Sequence, residues 1–244
     1  MNVKNALTVG AQKLKHIDSA QLDAEVLLSF VINKSKEFLY AHPETKLNWI
    51  QKIRFFYLIN QRSKNWPVAY LTGIKEFYGR TFYVNKNVLI PRPLTEELIE
   101  KALAIIKLGY SICDLGTGSG CIIITIIKEL QKQNYNLNNF KFYASDISRK
   151  ALQVAKKNAR FHQVNQHIQF LQGDLLKPLP GKKIALIIAN LPYLEANDLN
   201  EPSIKKEPTL ALLGNYDEFF KQASRLIPQP AVIYEDKSGI HLKK

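Results

Sequence analysis

Hydrophobic positions recur along this chain in two rhythms. Up to about residue 70 they follow a helical spacing, and from Ser111 they come in short apolar runs alternating with amphipathic stretches. In the first part, residues 20–32 predict a helix with Leu22, Val26, Leu27 and Phe30 on one face and Asp18 or Ser19 as its cap. Residues 47–61, carrying Trp49, Ile50, Ile53, Phe56, Tyr57 and Ile59, predict a second helix. Asn65-Trp66-Pro67 ends it, because a residue before proline is pushed out of the helical region. A small helical domain over residues 1–70 follows, either a packing domain or a platform for a protein partner. Periodicity does not separate the two.

Residues 71–90 read as a hairpin linker, with Gly73 and Gly79 beside the β-type runs 76–78 and 80–84. Val88-Leu89-Ile90 then enters the stiff corner Pro91-Arg92-Pro93, and Thr95 is placed to cap a helix over 96–107. Beyond it, apolar runs at 111–114, 140–145, 168–171 and 183–189 alternate with helical patterns at 121–132 and 148–164. That alternation predicts an α/β domain over residues 91–244: a parallel sheet with helices on both faces.

Candidate chemistry falls at the ends of those strands, where open α/β sheets bind ligands. Asp114-Leu115-Gly116-Thr117-Gly118-Ser119-Gly120 follows the first strand and opens a helix. Its spacing is neither the dinucleotide Gly-x-Gly-x-x-Gly nor a P-loop. Asp146 ends the second strand, where an acid takes both hydroxyls of a ribose. Asp174, with Leu175 beside it, follows the third and has two readings: a partner for an adenine amino group, or a turn residue. The fourth strand runs into Asn190-Leu191-Pro192-Tyr193. The Asn190 amide oxygen and a main-chain carbonyl can each accept one proton of a planar N–H₂ group, with Tyr193 packing beside them.

Together these four features resemble a class I S-adenosylmethionine-dependent methyltransferase, a Rossmann-like fold. The turn at Asn190 is similar to the (Asn/Asp)-Pro-Pro-(Tyr/Phe) motif of methyltransferases that act on amino or amide nitrogens. Further segments narrow the family: Asp23-Ala24-Glu25, Pro67-Val68-Ala69-Tyr70-Leu71, Glu76-Phe77-Tyr78-Gly79, Ile90-Pro91-Arg92-Pro93, Thr95-Glu96 and Glu207-Pro208. In order, they resemble the release-factor glutamine methyltransferases of the HemK/PrmC type over residues 15–235. The resemblance implies S-adenosylmethionine as cofactor, held by Asp114, Gly116, Thr117, Gly118, Ser119, Gly120, Asp146, Asp174, Leu175 and Asn190. It implies Asn190, Leu191, Pro192 and Tyr193 as the catalytic turn, and the Gly-Gly-Gln glutamine of a class I peptide chain release factor as substrate. Three departures stand out. Leu191 replaces the first proline of the motif, which predicts a less rigid turn. Leu94 stands where the family has Glu. The strand at 231–234 is expected to lack its neighbour, because the final strand of the fold looks missing.

The 34 Lys and Arg against 21 Asp and Glu give a formal charge of +13, which suits a polyanionic neighbourhood or simply a solvated basic surface. Cys113 and Cys121 flank the glycine loop without metal-ligand spacing, and no metal site is expected. No apolar run reaches the length of a membrane span and residues 1–12 lack a signal-type core, so a cytoplasmic protein is expected. No direct nucleic-acid substrate is expected. Three other functions remain open: glutamine methylation of a ribosomal protein, adenine methylation of a nucleic acid, and a degenerate module that binds cofactor without turnover. Arg92 has two readings, an anchor for an acidic group or a brace for the corner.

Overall fold

The computed structural model describes residues 1–179, 183–193, 202–212, 214, 216–226 and 229–243. The chain divides into two compact units, residues 1–73 with 201–206 and residues 74–200 with 207–244. The break at Gly73 groups the hairpin with the second unit.

The first unit is helical: α1 (Val3–Lys13), α2 (Ala20–Ile32), α3 (Lys36–Ala41), α4 (Trp49–Arg62) and α5 (Val68–Thr72). Its core joins Ala24, Leu27, Leu28 and Val31 of α2 to Phe55, Leu58 and Ile59 of α4. The inward face of α2 therefore differs from the one predicted, since Leu22 and Phe30 are exposed. Helix α2 is apolar on most sides, so periodicity alone cannot pick the face. What pins that face is an ion pair to a buried carboxylate: Arg62 Nε lies 2.6 Å from Asp23 Oδ2, which also accepts from the Ser19 hydroxyl at 2.9 Å. Ser19 thus spends its hydroxyl on Asp23 and makes no side-chain cap. On α4, Trp49, Ile50, Ile53 and Tyr57 face solvent.

The second unit opens with an antiparallel hairpin, β1 (Ile74–Phe77) and β2 (Arg80–Tyr83), followed by α6 (Glu96–Ile105). Strand and helix then alternate: β3 (Ser111–Leu115), α7 (Cys121–Lys132), β4 (Lys141–Asp146), α8 (Arg149–Phe161), β5 (Ile168–Gln172) and β6 (Leu186–Ala189). Helix α9 (Asp217–Ala223), β7 (Ala231–Asp236) and β8 (Gly239–Lys243) complete the described elements. The sheet order is β5-β4-β3-β6-β7-β8, parallel except for β8. Because side chains alternate across a strand, Ile112, Leu186 and Ile188 join one core with α6, α7 and α8. Cys113, Leu115, Ile187 and Ala189 face the other side, against Phe219 and Ala223 of α9.

Two expectations are corrected here. The strand at 231–234 does not lack a neighbour: it extends to Asp236 as β7, and β8 pairs antiparallel with it, Glu235 opposite Ile240. Asp236 closes that turn by accepting from the Ser238 N–H at 2.8 Å. Thr95 stands at the start of α6 but makes no side-chain cap, because its hydroxyl is committed elsewhere. None of the described helices is long and apolar enough to cross a membrane.

Candidate functional site

From β3 the chain proceeds outward to β4 and β5, then returns to build β6 and β7 on the other side. The strand order reverses at the β3–β6 pair, and the crevice at such a point is where this architecture holds ligands. A cavity of about 310 Å³ lies there, at the carboxyl ends of β3, β4, β5 and β6.

The glycine loop forms its floor. Gly116, Gly118 and Gly120 have φ of +68°, +53° and +80°, values that side chains resist. A Cβ on Gly116 would come within 2.9 Å of Leu191 Cδ2, and one on Gly120 within 3.2 Å of Ala155 Cβ. Glycine therefore lets the loop approach the Asn190 turn on one side and helix α8 on the other. Gly116, Thr117, Gly118 and Ser119 line the cavity; Gly120 sits behind them.

Asp114 is fully buried beneath the loop and does not line the cavity. Its Oδ2 accepts from the Thr117 hydroxyl at 2.6 Å and the Ile123 N–H at 3.4 Å, while Oδ1 is buried without a partner. Burial pushes its carboxyl up to about 7, partly offset by those two hydrogen bonds. Asp146 reaches the wall, its two oxygens accepting from the Gly118 N–H at 3.0 Å and the Ser148 N–H at 2.8 Å. Burial raises it above the usual carboxylate range. Asp174 and Leu175 also line the cavity. Asp174 is half-exposed and paired with Lys177 at 2.6 Å, and Leu175 turns at a φ of +49°.

Asn190, Leu191 and Pro192 form the opposite wall. Asn190 Nδ2 donates to Thr95 Oγ1 at 2.9 Å, and Thr95 donates in turn to Glu235 Oε2 at 2.8 Å. Glu235 Oε1 accepts from the Tyr193 hydroxyl at 3.0 Å. Tyr193 thus points at Glu235 rather than into the cavity wall, and burial beside that carboxylate pushes its hydroxyl up to about 12. Burial also raises Glu235, against the pull of Thr95 and Tyr193. Arg92 pairs with the buried Glu207, whose other oxygen accepts from the Ile90 N–H at 3.0 Å. The corner is braced, as in the second reading of Arg92.

Asn190 therefore has its amide oriented by a one-way chain. An ionised Glu235 can only accept, so Thr95 must give it its single proton and can only accept from Asn190. The N–H₂ end is used there, which leaves Oδ1 as the acceptor beside the cavity. Glycines at positive φ, an acid on the wall and apolar surface from Leu89, Leu115 and Leu175 fit a ligand that is part nucleoside and part zwitterion. Among the described residues no group of His, Cys, Asp and Glu is placed to hold a metal ion.

Sequence reasoning missed Glu235, Tyr216 and the role of Thr95. Glu235 carried a usable signal, since an acid at the end of an apolar strand is what marked Asp146. Tyr216 carried none, because a lone aromatic before a short helix reads as packing.

Residues 5–73 match the model of the PrmC N-terminal domain, and residues 106–237 match a methyltransferase domain. A release factor glutamine methyltransferase of Leptospira interrogans is 44% identical over 226 residues, which cover 89% of this chain and 76% of that protein. One from Koribacter versatilis is 37% identical over 227 residues, 88% of this chain and 78% of the relative. A bifunctional methyltransferase of Rickettsia bellii is 35% identical over 249 residues, but there the match spans only 44% of the relative.

Proposed function

Because the chain belongs to the release factor glutamine methyltransferase family, we propose that it methylates the glutamine side-chain amide in the Gly-Gly-Gln motif of peptide chain release factors. S-adenosylmethionine is the methyl donor. The observation that carries the reading is the oriented Asn190 amide, facing the glycine loop across one cavity.

A carboxamide nitrogen is a poor nucleophile, because its lone pair is delocalised into the carbonyl. Asn190 Oδ1 and the Leu191 carbonyl accept its two N–H groups and fix the amide plane so that one face of the nitrogen is presented to the methyl group. Those protons become more acidic as the nitrogen turns tetrahedral, so the hydrogen bonds strengthen at the point where they lower the barrier. Pro192 stiffens the turn, and Tyr193 supports it by donating to Glu235. Asp146 would take the ribose hydroxyls on the lone pairs that its bonds to the Gly118 and Ser148 N–H groups leave free. Gly116 to Ser119 make room for the amino-acid part, Asp174 and Leu175 border the base, and Asp114 stiffens the loop from below. Bound there, the cofactor would supply an electrophilic methyl group on a sulfonium and leave as the neutral thioether, while the methylated nitrogen would release one of its protons to water. The orientation imposed by the turn supplies the rest of the advantage by holding the amide in line.

The test is to incubate the chain with S-adenosylmethionine and an unmodified release factor, then weigh the Gly-Gly-Gln peptide by mass spectrometry. One added methyl is expected, absent with Asn190→Ala although that variant still binds cofactor in calorimetry. A folded chain that binds cofactor and leaves the glutamine unmodified refutes the assignment and supports the degenerate module.

A further inference from the structure

Leu191 departs from its family motif at the position that stiffens the turn. Proline there would fix φ and carry no N–H; leucine does neither. Leu191 therefore brings a buried main-chain donor that needs a partner, since an orphaned buried N–H is costly. The partner is the hydroxyl of Tyr216, to which the Leu191 N–H donates at 3.0 Å.

That hydroxyl lies at a junction of three segments. It donates to the Glu235 carbonyl at 2.6 Å, at the end of β7, and the Ala189 carbonyl lies 3.2 Å away at the end of β6. The Tyr216 ring is wedged between Phe219, Phe220 and Tyr234, with centroids 5.8, 5.7 and 5.2 Å away. It cannot swing aside without opening that cluster. Burial pushes the hydroxyl above its ordinary value, so it stays protonated and keeps donating throughout the neutral range.

We infer that Tyr216 is a positioning residue that stands in for the absent proline, tying the Asn190–Leu191 peptide to strand β7. The inference rests on the proposed role of this turn in presenting the substrate amide. Two constraints then act on the same peptide: the Tyr216 hydroxyl holds its N–H, and Pro192 holds Leu191 in an extended conformation. Leu191 is not among the positive-φ residues, and its N–H is the group a proline would remove, which makes Leu191→Pro the informative background.

The experiment is a double-mutant cycle of Tyr216→Phe and Leu191→Pro on the full chain. It reads kcat and KM for the release factor, the cofactor Kd by calorimetry, and Tm. Tyr216→Phe alone is expected to lower kcat about tenfold, the size of one lost hydrogen bond to a buried donor, with cofactor Kd shifted less than about twofold. With Leu191→Pro present no N–H is left to orphan and only the bond to the Glu235 carbonyl is lost, so the same change is expected to cost no more than about threefold. An equal loss in both backgrounds, or none in either, overturns the inference. The cycle read in Tm needs no substrate, so the hydrogen bond is judged even if methylation of the release factor fails. Should Tyr216→Phe not fold, hydrogen exchange at the Leu191 amide of the parent chain decides. At least about 100-fold protection is expected, and exchange at the rate of an open loop overturns the inference.

Discussion

Replacing Thr95 by valine keeps its shape and deletes the hydroxyl that sets the direction of the Asn190 amide. In the parent, the correct orientation has Nδ2 donating to Thr95 at 2.9 Å. The flipped orientation sets the amide oxygen against a hydroxyl whose proton already belongs to Glu235 at 2.8 Å. It loses one hydrogen bond and leaves a crowded acceptor, together about 2–4 kcal/mol, so it is populated at a few per cent or less. Valine removes the bias. If orientation statistics were the whole effect, the two forms would become equal and kcat would fall about twofold. Nδ2 also loses the atom that held it in place, and restoring its alignment during the reaction costs about 1–1.5 kcal/mol more. The expected loss is therefore roughly tenfold or greater in kcat, with cofactor Kd unchanged, because Thr95 acts through Asn190. Thr95→Ser returns the hydroxyl and is expected to return most of the rate. Steady-state kinetics on the release factor at saturating cofactor measures it. A Thr95→Val loss of no more than twofold, or equal losses in the serine and valine variants, would refute the preorganisation argument.

Two more outcomes follow from the loop. Asp114 keeps its proton to about pH 7 when folded but releases it near 3.8 when unfolded. The folded state holds the extra proton between those values, so this group stabilises fully below about pH 4 and the stabilisation fades as pH rises through 7. The limiting contribution is on the order of 4 kcal/mol for a shift from 3.8 to about 7. Asp114→Asn is neutral throughout, and parent-minus-variant stability from urea melts should decline between pH 4.5 and 7.5; a constant difference contradicts the buried-carboxyl account. Gly116→Ala combines a φ of +68° with a contact of 2.9 Å to Leu191 Cδ2, and is expected to cost about 1–3 kcal/mol and weaken cofactor binding. The penalty should shrink in a Leu191→Ala background, and an unchanged penalty means that backbone strain alone is responsible.

Legibility along the chain follows a physical line. Helix α7 begins and ends where its pattern predicts, because an apolar run bounded by a glycine loop and a polar tail has few alternatives. The strands at β3, β4 and β5 are found to within a residue: β3 and β4 are runs buried on both faces, and β5, at the sheet edge, is a short apolar run set between polar loops. The inward face of α2 was not legible, because what selects it is the Asp23–Arg62 pair, 39 residues apart in sequence. The same holds at the site. The place of Asp146 and Asn190 on the cavity was readable from their strand ends, whereas the path from Asn190 through Thr95 to Glu235 joins residues 95 and 140 positions apart. Local pattern assigned Thr95 to a helix cap, and the long-range carboxylate won. Strand β8 was missed because Gly239–Lys243 is short and half-polar, and only pairing with β7 makes it a strand.

Strand β8 has a consequence for a residue it never touches. Glu235 faces inward only while β7 keeps its register, for a slip of one residue would turn that carboxylate to the opposite side of the sheet. The turn at Asp236 and the pairing of Glu235 with Ile240 act as a ratchet stop against that slip. The glycine loop and Asp146 sit on strands that do not depend on it. The aim of the Asn190 amide is thus tied, through Thr95 and Glu235, to a strand whose register is held from the far edge of the sheet. A change confined to the β7–β8 hairpin can therefore be felt at Asn190 without touching the glycine loop.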